Sequence, residues 1–308
     1  MEVQRTETKR RSSVEGTPVR RMTTLLREML AQPGLIVGCG IYGPLPAKIM
    51  ERAGFKYVSL GGYDLGAHLV TAEPLLCLEE VVRTARNITA AVNIPLQVDV
   101  GAGFGEPLHV MRTVQEIESA GVAAIQIEDQ IYPKRAHYHK GIEHIIPVEE
   151  MIAKLKAAQA VRSDPDLVIK ARTDALRTHG LAEAIRRGNL YLEAGADMVH
   201  IYPNNVEEAK RAPKEIAGPV STQNSTGNFL DRPLFTNREI EDMGYKMVTQ
   251  GISATLMAAK AVKEMAEKIY ALQQPVMEAE EMRAMRRYVE DTIGLNRMYQ
   301  IEKDTVEG

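Results

Sequence analysis

The chain has 308 residues, with 38 Lys and Arg against 41 Asp and Glu for a formal net charge of −3, and 44% of it is hydrophobic. That balance offers no basic field for nucleic acid, 2 cysteines make no disulfide framework, and no apolar run is long enough to span a membrane. The chain is expected to be soluble and cytoplasmic, without nucleic-acid or membrane partners, and its length admits one large α/β domain.

Residues 1–21 carry Lys9, Arg10, Arg11, Arg20 and Arg21 among small polar residues and read as a flexible, solvated arm; lacking an apolar core, they are not expected to act as a signal peptide. Leu25, Leu26, Met29 and Leu30 share one side of a helix over Thr23–Ala31, which Gln32, Pro33 and Gly34 end before a strand over Leu35–Cys39. A helix over Pro44–Ala53 and a strand over Tyr57–Leu60 follow. The next segment, SLGGYDLGAHLVTAEP, holds Ser59, Gly61 and Gly62 with Tyr63, Asp64, His68, Thr71 and Glu73. It reads either as a plain turn or as a backbone nest offering N–H groups to a carboxylate or phosphate.

A helix over Leu78–Val92 leads to the strand PLQVD. Its terminal Asp99 suits a divalent cation, or a cap on the following turn, and Gly101, Gly103 and Gly105 leave room beside it. Helix Leu108–Ser119 precedes AAIQIEDQIYPKRAHYHKG, a buried strand ending in Glu128 and Asp129 and then a basic loop with Lys134, Arg135, His137, His139 and Lys140. Acids at a strand end followed by such a loop suit a small-anion site with a lid, although a solvated surface loop has the same composition. After a helix from Pro147 to Ala160, the strand Leu167–Ala171 delivers Arg172 and Asp174. The Arg172 fork suits paired carboxylate oxygens, and Asp174 would orient it or cap the next helix.

Leu181–Gly195 has helical spacing, and in the strand ADMVHIYP the residues His200 and Tyr202 alternate with apolar neighbours, which suits substrate contact or core packing. Val206–Ile216 is helical, and PVSTQNSTG places Gln223, Asn224 and Ser225 as a neutral hydrogen-bonding wall. Asn237–Met243, the strand KMVTQG and a helix beginning over Ile252–Met265 complete the pattern. Eight strands separated by helices predict an eight-stranded (β/α)8 TIM barrel, fold class α/β, over residues 22–272. An open dinucleotide fold is disfavoured because GAGFG lacks the full glycine spacing and follows the third strand. Residues 273–308 form a helical extension and tail, in which Ala279–Ile293 places Met282, Met285, Tyr288 and Val289 for packing against a partner subunit.

The ordered set VSLGG, LQVDVGAGFG, IQIEDQIYPKRAHYHKG, IKARTDA and the late amphipathic helix resembles the isocitrate lyase and phosphoenolpyruvate mutase superfamily over residues 22–300. It looks most like the branch of methylisocitrate lyase, dimethylmalate lyase and carboxyphosphonoenolpyruvate mutase. The resemblance implies a domain-swapped C-terminal helix, in a homotetramer or helix-swapped dimer. It also implies a magnesium ion, with manganese the alternative, holding the oxygens of a 2-oxo, 2-hydroxy or enolpyruvyl acid while an enolate forms. In that pattern Ser59, Gly61 and Gly62 contact substrate, Asp99 and Glu128 belong to the metal shell, Arg172 binds the organic anion, and Lys134 to Lys140 form a gating loop.

The chain also departs from the pattern. Where the lyase loop reads KRCGH it has Lys134, Arg135, Ala136, His137 and Tyr138, so the usual cysteine acid is missing and His137, Tyr138 or His139 becomes the proton route. Gly101 stands where VDADTGFG places a second acid, Ala72 or Glu73 near another expected aspartate, Tyr202 where glutamate is usual and Gln223 where asparagine is. Less negative charge remains for a cation.

The expected function is a divalent-metal-dependent lyase or related C–C bond enzyme for a small 2-hydroxy or 2-oxo carboxylate. Arg172, His137, His139 and Lys134 would be catalytic; Ser59, Gly61, Gly62, Arg172, His200 and Gln223 would bind substrate; Asp99 and Glu128 would hold metal. The alternatives are a phosphoenolpyruvate phosphonomutase or phosphonopyruvate hydrolase, and a catalytically altered carboxylate-binding member of the superfamily.

Overall fold

A computed structural model describes residues 21–227, 231–275 and 278–306; the arm expected over residues 1–21 lies, except for Arg21, outside them. Eight parallel strands close into a barrel in sequence order: β1 (Ile36–Ile41), β2 (Tyr57–Leu60), β3 (Leu96–Asp99), β4 (Ala124–Glu128), β5 (Val168–Arg172), β6 (Met198–His200), β7 (Val220–Gln223) and β8 (Met247–Gln250). Closure is made by β8 on β1, with Ile36 opposite Met247 and Cys39 opposite Gln250. Both faces of each strand are covered, so the outward residues are as apolar as a core: Val98, Ile125, Ile127, Ile169 and Ala171 are fully buried.

One helix, α1 (Met22–Ala31), precedes β1, and its Leu26 packs with Ile36, Tyr57, Met198 and Met247. Between strands run α2 (Pro44–Arg52), α3 (Gly62–His68) with α4 (Leu78–Ala91), α5 (Pro107–Ser119), α6 (Val148–Val161), α7 (Ala175–Glu193), α8 (Val206–Glu215) and α9 (Asn237–Met243), and β8 is followed by α10 (Ser253–Leu272). The strand period turns Gln97 and Asp99, Gln126 and Glu128, and Lys170 and Arg172 to one face, the barrel interior. There Lys170 Nζ donates to Gln97 Oε1 at 2.7 Å, and Gln97 Nε2 donates to Ser59 Oγ at 3.2 Å. The inner layer below the mouth is therefore polar and internally hydrogen-bonded.

Three elements differ from the sequence expectation. The glycine-rich stretch after β2 folds into α3, α7 begins at Ala175 with a break at Gly180 (φ 81°), and two helices follow the barrel instead of one. These are α11 (Ala279–Thr292) and α12 (Leu295–Thr305), parted by left-handed Gly294 (φ 76°). In the single chain α11 lies against α2, with Arg52 Nη2 2.7 Å from Asp291 Oδ2 and the Arg52 guanidinium 5.0 Å from the centre of the Tyr288 ring. Met257, Val262, Met282, Met285, Met298 and Ile301 stay exposed along α10 to α12. No helix among the described residues is long and apolar enough to cross a membrane.

Candidate active site

In a barrel of this kind the strands deliver their last residues to one rim, and loops complete the site there. Asp99 ends β3, Glu128 ends β4 and Arg172 ends β5. The three meet: Arg172 Nη1 lies 3.3 Å from Asp99 Oδ2 and 3.3 Å from Glu128 Oε2. Arg172 Nη2 also reaches Asp174 Oδ1 at 3.0 Å, and Gln126 Nε2 donates to Asp99 Oδ2 at 2.8 Å. Burial opposes ionisation of Asp174, but Arg172, Lys134 and the Gln130 amide together outweigh it and hold the carboxyl below its usual range.

Adjacent acids at the end of β4 have separate fates, because successive strand residues face opposite ways. Glu128 turns into the mouth. Asp129 turns to the back, where its carboxylate accepts from Thr173 Oγ1 (2.7 Å), Tyr191 OH (2.8 Å), the Asp174 N–H (2.9 Å) and Arg187 Nη1 (3.2 Å). Asp129 is thus a brace between β4, the start of α7 and the loop that holds Asp174.

The basic loop folds over this rim. Lys134 is buried, with Nζ 2.6 Å from Glu73 Oε1 and 2.9 Å from Glu128 Oε1. Burial alone would lower the ammonium, but Glu128 and Glu73 hold it well above its ordinary value. Burial raises Glu128 to about 7 against the pull of Lys134 and Arg172, whereas for Glu73 burial is outweighed by Lys134 and the carboxyl is lowered. Glu73 comes this close because Gly62 has no side chain: a Cβ there would fall 2.5 Å from Glu73 Cγ. Residues Ala136–Lys140 make a short 3-10 turn that brings the Tyr138 hydroxyl to Arg172 Nη2 and His139 Nε2 to 3.5 Å from Glu73 Oε2.

Under the loop is a cavity of ≈ 180 Å³. Arg172, Asp99, Glu73, Tyr138 and His139 line one side; Tyr202, Gln223, Ser225 and Arg232 line the other, with Gly61, Gly62, Asp64 and Glu143 between. Gln223 Nε2 donates to Ser225 Oγ at 2.6 Å, and Arg232 lies 3.8 Å above the centre of the Tyr202 ring. Burial raises Asp64 to about 6, although the Thr255 hydroxyl donates to its Oδ1 and works against the rise.

Of the residues singled out by sequence, Gly61, Gly62, Asp99, His139, Arg172 and Gln223 line this cavity. Glu128 and Lys134 are buried in contact with its lining acids and Arg172. Ser59 and His200 sit deeper, on an adjoining hollow of ≈ 40 Å³, where His200 Nδ1 is 3.1 Å from Ser221 Oγ. Burial, with Lys170 and Arg172 nearby, lowers His200 well below its usual value, so it faces that hollow as neutral imidazole. His137 is exposed and does not join the cavity lining. Asp64, Glu73, Glu143 and Arg232 join it from loops and a short helix; only Asp64 and Glu73 carried a sequence signal, the polar set after β2.

A divalent cation needs several oxygens converging on one point. Among the described residues no group of three or more His, Cys, Asp or Glu side chains is placed to hold one. Asp99 and Glu128 are instead bridged by Arg172, and Glu128 and Glu73 by Lys134. Gly101, left-handed at φ 55°, brings no carboxylate to the open side of Glu128, where a Cβ would stand 3.7 Å from Oε1. As paired here, these side chains make no metal cradle by themselves; a magnesium ion, which needs only one or two carboxylates beside its waters, would have to draw Asp99 or Glu128 away from Arg172 and Lys134.

The family model for phosphoenolpyruvate phosphomutase matches residues 26–270. The chain is 38% identical over 288 residues to the 2,3-dimethylmalate lyase of Eubacterium barkeri, covering 92% of this chain and 98% of that protein. It is 37% identical over 259 residues to the 2-methylisocitrate lyase of Aeropyrum pernix, covering 82% of each. A solved structure of phosphonopyruvate hydrolase in complex with oxalate and Mg2+ superposes with a TM-score of 0.81 at 28% identity, covering 93% of this chain and 100% of that one.

Proposed function

Because the chain belongs to the phosphoenolpyruvate phosphomutase family, whose superfamily comprises carboxylate-handling lyases and mutases, we propose that it cleaves a carbon–carbon bond in a small 2-hydroxy or 2-oxo carboxylate. The observation that carries this reading is the buried Arg172 guanidinium on the wall of a cavity of ≈ 180 Å³, with the Lys134 ammonium close by and paired with the same Glu128. Arg172 anchors the substrate carboxylate through its planar fork. Lys134 adds positive charge where an enolate oxygen develops, an interaction that strengthens towards the transition state. Asp64, poised at about 6, takes the proton of the substrate hydroxyl. Gln223 and Ser225 hydrogen-bond the uncharged part of the substrate, and Gly61 and Gly62 let the backbone close on it. Loop residues Tyr138 and His139 close the mouth. Since the acids are already paired with Arg172 and Lys134, no step is assigned to magnesium or manganese. The exposed methionines of α11 and α12 support a homo-oligomer with these helices between subunits.

The test uses 2,3-dimethylmalate, 2-methylisocitrate and oxaloacetate as trial substrates, followed by proton NMR. The native chain should cleave at least one, and Arg172→Ala should lower its turnover roughly 10²–10³-fold. Unchanged turnover in Arg172→Ala would overturn the assignment.

A further inference from the structure

Glu143 has no role in the site as assigned so far. It lies between the Ala136–Lys140 turn and α6, in a stretch tied to the end of β4 by the Ile131 N–H, which donates to the His144 carbonyl at 2.9 Å, and by the bridge of Gln130 to Ile145. Its side chain is 2% exposed and lines the same cavity as Arg172, Tyr138 and Gln223. Oε2 has no hydrogen-bond partner among the described residues. Two guanidinium groups flank the carboxyl beyond hydrogen-bond range, Arg177 Nε 3.6 Å from Oε2 and Arg232 Nη2 4.0 Å from Oε1. A buried carboxyl oxygen left without a partner is costly unless a bound molecule meets it.

We propose that Glu143 is the acid that protonates the carbon released when the C–C bond breaks, an inference that rests on the lyase reading above. Ala136 carries no proton to give, His137 is exposed and absent from the cavity lining, and Tyr138 and His139 are engaged with Arg172 and Glu73, whereas Glu143 presents a carboxyl to the cavity with one oxygen unpartnered among the described residues. The step balances for a 2-hydroxy acid. The electron pair of the broken bond stays with the α-carbon of the departing acid as its enolate. The hydroxyl proton passes to Asp64, and the carbinol carbon becomes the carbonyl of a 2-oxo acid. The Glu143 O–H proton adds to the enolate α-carbon, and the Glu143 oxygen keeps the bonding electrons. Glu143 is then a carboxylate beside Arg177 and Arg232, and once the products leave, proton exchange with water returns both carboxyls to their starting forms.

Burial pushes the Glu143 carboxyl up to about 7; Asp174 adds to the rise, and Arg177, Arg232 and Arg172 oppose it. The acid form is therefore present at and below neutral pH and is lost above it, so kcat should fall on the alkaline side. Glu143→Gln keeps the size of the side chain without an acidic proton, and Glu143→Asp keeps the acid on a shorter arm. With whichever 2-hydroxy acid, 2,3-dimethylmalate or 2-methylisocitrate, the native chain cleaves, Glu143→Gln should lose roughly 10²-fold or more in kcat with KM little changed, and its alkaline limb should disappear. Glu143→Asp should recover part of the rate and keep an alkaline limb at a shifted position, which decides the matter if the Gln variant fails to fold by circular dichroism. A native kcat and pH profile in Glu143→Gln, or an unshifted limb in Glu143→Asp, would overturn the role of Glu143 alone. Absence of cleavage by the native chain would overturn the lyase reading, and this inference with it.

Discussion

Two walls face each other across the cavity with opposite chemistry. The wall from β3, β4 and β5 is charged: Asp99, Glu128 and Arg172 stand at the strand ends, with Lys134 and Glu73 brought in by loops. The wall beyond β6 and β7 is mostly uncharged: it presents Tyr202, Gln223 and Ser225, with Arg232 over the Tyr202 ring, above a hollow in which His200 is kept neutral. In the proposed reaction that difference separates the stabilisation of developing charge from the setting of shape. There the charged wall anchors the substrate anion and stabilises the charge that develops, while the facing wall, which carries Arg232 as its one guanidinium among the lining residues, sets shape and hydrogen bonding.

The contrast can be broken most severely at Lys134. Lys134→Met removes the ammonium from between Glu73 and Glu128, and kcat should fall roughly 10²–10³-fold in the NMR assay. The sign of the accompanying shift is fixed: without Lys134 the Glu128 carboxyl rises further above about 7, and an infrared titration should show it protonated at neutral pH. The charged wall can also be undermined from behind. Arg187→Met leaves buried Asp129 without its guanidinium and should cost about 3 kcal/mol in denaturant unfolding. On the facing wall the same approach should do less: Gln223→Leu should raise KM roughly 10-fold, the equivalent of about 1.4 kcal/mol, with kcat nearly unchanged. Smallest of all should be the response to Mg2+, Mn2+ or a chelator, measured by calorimetry and turnover, because the acids that would bind the ion are paired within the chain. A strong chelator effect would show that Arg172 and Lys134 yield those acids to a metal.

Much of the barrel was legible because its signals are local. β2 falls on the residues its pattern predicts, Tyr57–Leu60, and the other strands lie within a few residues of expectation. The short α3 escaped notice because its glycines, Gly62 and Gly66, read as a turn, and α12 because Gly294 interrupts a charged amphipathic tail. The site divides in the same way. Asp99, Glu128 and Arg172 could be read as site candidates since strand ends converge by construction in a barrel. His200 carried the same signal, yet strand register puts it in the hollow beneath. Glu143 and Arg232 depend on the course of loops, which no periodicity records. Lys170, Gln97 and Gln126 did have a legible mark, polar residues alternating with apolar ones in strands otherwise built for a core.

The most direct test of the proposed chemistry is paired proton and phosphorus NMR of the native chain with the three trial acids, phosphoenolpyruvate and phosphonopyruvate. The expected result is conversion of a hydroxy or oxo acid into two smaller acids, with the phosphorus spectra unchanged. Formation or breakage of a phosphorus–carbon bond, with the carbon skeletons of the trial acids left intact, would contradict it.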